Sequence, residues 1–374
     1  MKKIQMVDLQ SQYLRIKHEI DSAISKVLME TAFIQGPQVR QFSEALARYT
    51  HAPHVVTCAN GTDALQIAMM ALDLKPGDEV ILPVHTYVAT AEVIALLGLK
   101  PVFVDVQSDT FNLDPSKLKS VLSERTKAIV PVHLYGQCAP MEPILDFAKQ
   151  YDLFVIEDTA QALGAVYTFS DGSTKYAGTM GVIGTTSFFP SKNLGCFGDG
   201  GAMFTSDAEL AERVRIVANH GQRKKYYHEL IGVNSRLDTL QAAILEVKLK
   251  YLPEYEHNRQ QAAAFYDQQL SGLSGVVVPV RMPYSTHVFH QYTLKVERRN
   301  ELKVFLESKG VPTMIYYPVP LHFQEAYRQD AFGPGSFPVA EKLSESVISL
   351  PIHTEMDRET LDYICASVRE FYNG

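Results

Sequence analysis

Three short stretches carry residue types suited to covalent and acid–base chemistry. In "TTSFFPSKNLGCFGDGGA", residues 185–202, a single lysine, Lys192, stands between a Ser-Phe-Phe run and a turn containing Gly195, Gly198, Gly200 and Gly201. Lysines ordinarily sit on solvated faces. One held in an apolar, tightly folded turn instead has its pKa lowered by desolvation, and its amine becomes a nucleophile toward carbonyls. In "FVIEDTAQALGA" the pair Glu157-Asp158 follows a short apolar run. A lone carboxylate is costly to bury there, so Asp158 needs a cationic or proton-donating partner; a structural ion pair or a helix cap would also meet that need. In "CANGTDALQ", Gly61 and Thr62 open a helix directly after a strand. That arrangement offers backbone N–H groups, the positive end of a helix dipole and a hydroxyl, a cup suited to phosphate. A plain helix N-cap is the competing reading.

The surrounding pattern supplies the elements that must position these residues. Apolar runs at 54–58, 78–83, 100–106, 126–133 and 153–160 read as strands, and 62–72, 88–98 and 141–151 as helices between them. Short strands separated by helical lengths predict βαβ units and an α/β fold with a mostly parallel sheet. Such sheets bind ligands at the carboxyl ends of their strands. The ends are Asn60-Gly61-Thr62, His85-Thr86-Tyr87, Glu157-Asp158 and Ser187 to Lys192, and each carries polar residues. A phosphate cup, a carboxylate and a lysine on one sheet edge are the three contacts that pyridoxal phosphate requires, for its phosphate, its ring nitrogen and its aldehyde. The chain has neither a Walker motif nor a GxGxxG after a strand, which argues against nucleotide hydrolysis and nicotinamide binding.

At 374 residues, 46% of them hydrophobic, the chain is long enough for one large domain and a smaller one. A soft boundary near residue 250 divides it into 1–250 and 251–374, with the long helical stretch from 236 interrupted near Pro253. The net charge of -7 speaks against nonspecific binding to nucleic acid or anionic membrane. Four separated cysteines with no CxxC pair read as reduced thiols, with no metal site. "MKKIQMVDLQSQYLRI" has no uninterrupted apolar stretch, so a cytoplasmic protein is expected.

With those residues in view, the sequence resembles the sugar-nucleotide aminotransferases of fold-type I. The resemblance runs over essentially the whole chain, through "VDLQSQY", "NGTDAL", "PGDEVILPVHTYVATAEV", "VHLYGQ", "IEDTAQALGA", "SFFPSKNLGCFGDGGA", "HGQRKKYYHELIGVNSRLDTLQAA" and "YYPVPLH". It implies a large domain with a mostly parallel seven-stranded sheet flanked by helices, and a smaller C-terminal α+β domain. It also implies pyridoxal 5'-phosphate as cofactor, with Lys192 forming the Schiff base and Asp158 pairing with the pyridinium nitrogen. Gln161 would hydrogen-bond the ring's phenolic oxygen, Tyr87 would stack on the ring, and Gly61, Thr62 and Ser187 would hold the phosphate. The family's dimers share active sites, so Asn234 would reach the cofactor phosphate of a second subunit in a homodimer. Arg236, Tyr316 and Tyr317 would lie near the sugar nucleotide. A plainer reading has "NSRLD" capping the next helix, Tyr316 and Tyr317 in the core, and Arg223, Lys224 and Lys225 in a solvated loop.

The resemblance further implies L-glutamate as amino donor and a keto sugar nucleotide as acceptor. A branch that carries histidine in place of the lysine performs dehydration, so Lys192 favours transfer. The runs "CANGTDALQIA", "YGQCAP" and "VNSRLDTLQAAIL" are most similar to enzymes that aminate the 3-keto group of a UDP-linked 2-acetamido-glucuronic acid for surface polysaccharide. Those relatives can carry His-Tyr-Pro where this chain has Tyr316-Tyr317-Pro318. A 3-keto or 4-keto 6-deoxyhexose on dTDP or UDP is the alternative substrate. A non-catalytic regulatory protein is the alternative class; it predicts a damaged lysine, carboxylate or cup, or an added DNA-binding segment, and the sequence has none of these.

Overall fold

The computed structural model describes residues 3–373. Helices α1 (Leu9–Arg15), α2 (Lys17–Glu30) and α3 (Pro37–Thr50) precede an alternation of strands and helices. Strand β1 (His54–Cys58) leads into α4 (Gly61–Ala71), β2 (Glu79–Pro83) into α5 (Ala89–Leu96), and β3 (Lys100–Val104) into the short α6 (Leu118–Val121). Then come β4 (Thr126–Ile129), α7 (Met141–Gln150), β5 (Phe154–Asp158), the hairpin β6 (Val166–Thr168) and β7 (Thr174–Tyr176), and strands β8 (Ile183–Ser187) and β9 (Gly201–Thr205). The strands are short runs buried along nearly their whole length, as in β2, β8 and β9. Such runs suit a sheet covered on both faces.

Seven strands form one sheet in the order β1-β9-β8-β5-β4-β2-β3. Strand β9 is antiparallel to both β1 and β8, while β2, β3, β4, β5 and β8 pair in parallel, so only β9 runs against the rest. The carboxyl ends of β1, β2, β5 and β8 therefore meet at one edge. Strand β4 is shorter than its apolar run. Pro131 has no N–H for the ladder, and Val132 beyond it keeps only an isolated bridge to Asp158.

The chain continues through α8 (Ala208–Ala218), the hairpin β10 (Gln222–Lys224) and β11 (Tyr227–His228), α9 (Thr239–Leu249) and α10 (Leu252–Leu270). The helical stretch breaks at Lys250-Tyr251, and Pro253 falls in the first turn of α10, where an N–H would have no intrahelical acceptor anyway. A three-stranded sheet, β12 (Val276–Val277), β13 (Tyr292–Val296) and β14 (Val347–Leu350), packs with α10, α11 (Arg299–Ser308) and α13 (Arg358–Asn373) around its own apolar cluster. Ile4, from the other end of the chain, joins that cluster. Helix α12 (Pro338–Ser346) instead places Ala340 and Leu343 on the core of the large sheet, beside Leu321 and Phe337. The segment between β13 and β14 thus crosses to the sheet edge that carries the polar strand ends. No described helix is long and apolar enough to cross a membrane, and no cluster of metal-ligating side chains occurs among the described residues.

Candidate active site

Asp158 ends β5 and is buried. Thr90, in the first turn of α5, donates its hydroxyl to Asp158 Oδ2 at 3.0 Å, and the Ala160 N–H donates to Oδ1 at 3.1 Å. The backbone around it is fixed as well, since the Asp158 N–H reaches Pro131 O and the His133 N–H reaches Asp158 O, each at 3.0 Å. Lys192 lies in the turn between β8 and β9, half-buried, its N–H bonded to Phe189 O at 2.8 Å. Burial lowers its amine to about 8, and the negative charge of Asp158 opposes that shift. The lysine and the carboxylate are thus close enough to sense each other.

The cup forms where α4 starts. Asn60 caps the helix by accepting the Asp63 N–H at 2.8 Å, which leaves the Gly61 and Thr62 N–H groups at the helix mouth. A Cβ on Gly61 would stand 2.7 Å from Ser187 Cβ, so glycine is what lets β8 and the helix mouth approach. At the end of β2, His85 Nδ1 and Thr86 Oγ1 are buried with no hydrogen-bond partner among the described residues. Helix mouth, hydroxyl, carboxylate and lowered-pKa lysine fit the phosphate, ring nitrogen and aldehyde of pyridoxal phosphate.

The remaining expected site residues divide into two groups. Tyr87 is 58% exposed beside the edge, its ring 6.1 Å from that of Tyr317. Gln161 is buried, with Oε1 accepting the Tyr135 N–H at 2.7 Å and Nε2 donating to the Tyr317 hydroxyl at 3.0 Å. Tyr316 and Tyr317, both half-buried, therefore reach the sheet edge. The loop of Asn234 and Arg236 is different. Ser235 between them accepts the Ala59 N–H at 3.0 Å and donates to Asp63 Oδ2 at 2.6 Å, tying the loop to the cup's own helix. Asn234 itself is exposed, and Arg236 lines a separate groove of about 650 Å³ with Arg40, Arg215 and Arg223. Asp238 caps α9 without a side-chain hydrogen bond. Arg223, Lys224 and Lys225 are exposed on the β10–β11 hairpin, where Lys224 and Lys225 lie over the rings of Tyr227 and Tyr226.

Several residues take parts at the site to which the sequence assigned no role. Thr90 stands within the quoted "HTYVATAEV" but reads as an ordinary helical threonine. His85 packs its ring edge-on to Tyr317, and burial pushes its imidazole down to about 4, so it is neutral near pH 7. Tyr135 has φ 59°, a left-handed conformation rare outside glycine, and donates its hydroxyl to Tyr316 O. Beneath the lysine turn, α9 presents two residues seven apart, nearly two full turns and hence one face. Gln241 accepts the Phe197 N–H at 2.8 Å, and the buried Lys248 donates to Gly195 O at 2.5 Å.

Comparison with known proteins follows the same lines. The chain is 46% identical over 365 residues to "UDP-2-acetamido-2-deoxy-3-oxo-D-glucuronate aminotransferase" of Pseudomonas aeruginosa, covering 98% of this chain and 99% of that one. It is 45% identical over 371 residues to a "Pleiotropic regulatory protein" of Geobacillus stearothermophilus, covering 99% and 98%. The crystal structure of Streptomyces venezuelae DesV in complex with a ketimine intermediate superposes with a TM-score of 0.96 at 40% identity, over 100% of both chains. Other relatives are named as transaminases of dTDP-linked sugars, and solved structures include the cofactor in its PMP form. Residues 14–369 match the DegT/DnrJ/EryC1/StrS aminotransferase family, and the chain belongs to it, as a pyridoxal-phosphate-dependent aminotransferase of fold-type I.

Proposed function

We propose that the chain moves the amino group of L-glutamate onto the 3-keto group of a UDP-linked 2-acetamido-glucuronic acid, for surface polysaccharide. The observation that carries the aminotransferase chemistry is the half-buried Lys192 amine, lowered to about 8 and coupled to Asp158 at the sheet edge. The full-length likeness to the Pseudomonas enzyme supports the choice of sugar. Relatives named for dTDP-linked sugars keep a 6-deoxyhexose as the second reading.

Bound pyridoxal phosphate supplies an aldehyde that condenses with amines and a ring that takes up the electron pair left when a C–H proton is removed. The roles of the chain's own groups follow from their places. Lys192 would hold the cofactor through its aldehyde, and its amine, when free, would take a proton from the substrate carbon and return it. Asp158 would face the ring nitrogen and keep it protonated, with the Thr90 hydroxyl and the Ala160 N–H fixing the direction of its carboxylate. Gly61, Thr62 and Ser187 would take the phosphate, and Tyr87 would cover the ring. In a homodimer, the exposed Asn234 would reach the cofactor phosphate of the second subunit, and Arg236 would lie near the sugar nucleotide.

Gly61→Ala is expected to weaken cofactor binding about 10- to 100-fold, because the added methyl meets Ser187 Cβ at 2.7 Å. Equilibrium dialysis of the apoenzyme against the cofactor measures it, and unchanged affinity would remove the phosphate from this cup. The sugar is tested by a panel of 3-keto and 4-keto sugar nucleotides with glutamate, product regiochemistry being read by NMR. Preference for a dTDP-linked 6-deoxyhexose would transfer the assignment to that substrate. Failure to turn over any of them, with no spectral response to glutamate, would favour a regulatory protein.

A further inference from the structure

Gln161, Tyr135, Tyr316 and Tyr317 form a closed circuit. Gln161 Oε1 accepts the Tyr135 N–H at 2.7 Å, the Tyr135 hydroxyl donates to Tyr316 O, Tyr316 is bonded through the chain to Tyr317, and the Tyr317 hydroxyl accepts from Gln161 Nε2 at 3.0 Å. Two pieces of chain more than 150 residues apart are joined at both ends of one amide. His85 Nε2 lies 3.3 Å from the Tyr135 hydroxyl, and the Tyr317 ring packs on His85 and Tyr87, each at 6.1 Å between centroids. The amide of Gln161 therefore cannot turn over without breaking both hydrogen bonds. Its Nε2 has two N–H groups, and Tyr317 takes one of them.

We propose that Tyr317 is a positioning residue for the cofactor: by fixing the Gln161 amide it aims the second Nε2 N–H at the phenolic oxygen of the ring. The inference rests on the reading above, in which Lys192 binds the cofactor and Gln161 faces the ring. It adds to that reading a link between the loop at 316–318 and the cofactor, present before any sugar nucleotide arrives. A residue that only contacts the sugar nucleotide would leave the resting enzyme unaffected.

The test is a pH titration of the visible band of the cofactor-loaded enzyme with no substrate present. Tyr317→Phe keeps the ring contacts and removes only the acceptor oxygen. Without it the Gln161 amide loosens, the phenolic oxygen loses a donor, and its negative charge holds the proton on the lysine–cofactor nitrogen more strongly. The midpoint is expected to rise by roughly half a pH unit to one unit. Gln161→Leu should raise it likewise, and adding Tyr317→Phe to Gln161→Leu should raise it no further, because the two act in series. An unchanged midpoint in Tyr317→Phe, with only KM for the sugar nucleotide altered, would overturn the proposal. So would strictly additive shifts in the double variant. Lys192→Ala separates the underlying assignment: if it kept the band, the placement of Lys192 itself would fail, whatever Tyr317 did.

Discussion

Lys192→Ala is expected to lose the visible band of the lysine-bound cofactor and to slow amino transfer by roughly four orders of magnitude or more. The substitution removes one amine with two duties, the nucleophile toward the aldehyde and the carrier of the transferred proton; proton transfer alone is typically worth about 10²- to 10⁴-fold. The variant should still fold, since the turn around it is held by other groups: Asn193 Nδ2 donates to Val288 O at 3.0 Å, the Phe197 N–H to Gln241 Oε1, and Lys248 Nζ to Gly195 O. Steady-state transfer from glutamate and the absorbance spectrum measure both effects, and turnover within tenfold of the parent would exclude Lys192 from the chemistry. The wild-type apoenzyme adds a pH signature. Only the neutral amine attacks an aldehyde, and burial places its pKa at about 8. The rate of cofactor capture should therefore climb as pH rises through about 8 and level off above it.

Asp158→Asn is expected to lower turnover about 10²- to 10³-fold while keeping the shape of the strand end, since the amide oxygen can still accept one of the two hydrogen bonds that Thr90 and Ala160 make. The neutral amide no longer holds a proton on the ring nitrogen, so the ring becomes a poorer acceptor of electrons. A second effect has a definite sign. The negative charge of Asp158 raises the Lys192 pKa against the effect of burial, so its removal lets the lysine fall below about 8. The midpoint of cofactor capture by the apoenzyme should shift to lower pH in Asp158→Asn. A midpoint that stayed in place or rose would mean that the two groups are not coupled. A turnover left unchanged in Asp158→Asn would make the carboxylate a structural group.

Much of the architecture followed from local pattern. The runs at 54–58, 78–83, 100–106 and 153–160 became β1, β2, β3 and β5 with ends moved by two residues or fewer, because continuous burial and β-rich composition agree there. The apolar run at 126–133 was shortened by Pro131, a local cause that the sequence already contained. The assembly of Lys192, Asp158, Gly61 and Ser187 at one edge was legible for a geometric reason. Parallel strands send all their carboxyl ends the same way, so polar residues that follow such strands must meet even when far apart in sequence.

What the sequence could not decide was which of several similar side chains turns inward and what each one meets there. Lys248 and Lys250 stand two residues apart in "EVKLKYL", and neither looks special. Their directions differ by about 200° around a helix, so α9 buries one against Gly195 O at 1% exposure and leaves the other 64% exposed beside Glu19. Gln161 shows the same limit at the site itself. Its place in "DTAQALGA", just after a strand that ends at the sheet edge, put an amide near the site, and the family resemblance implied a ring oxygen as its partner. The orientation of its amide depends on Tyr135 in a left-handed turn and on Tyr317 from a loop 156 residues away. Residue types and strand direction determined which chemical groups this protein brings to the edge; long-range hydrogen bonds, visible only once the chain has packed, decided how they are aimed.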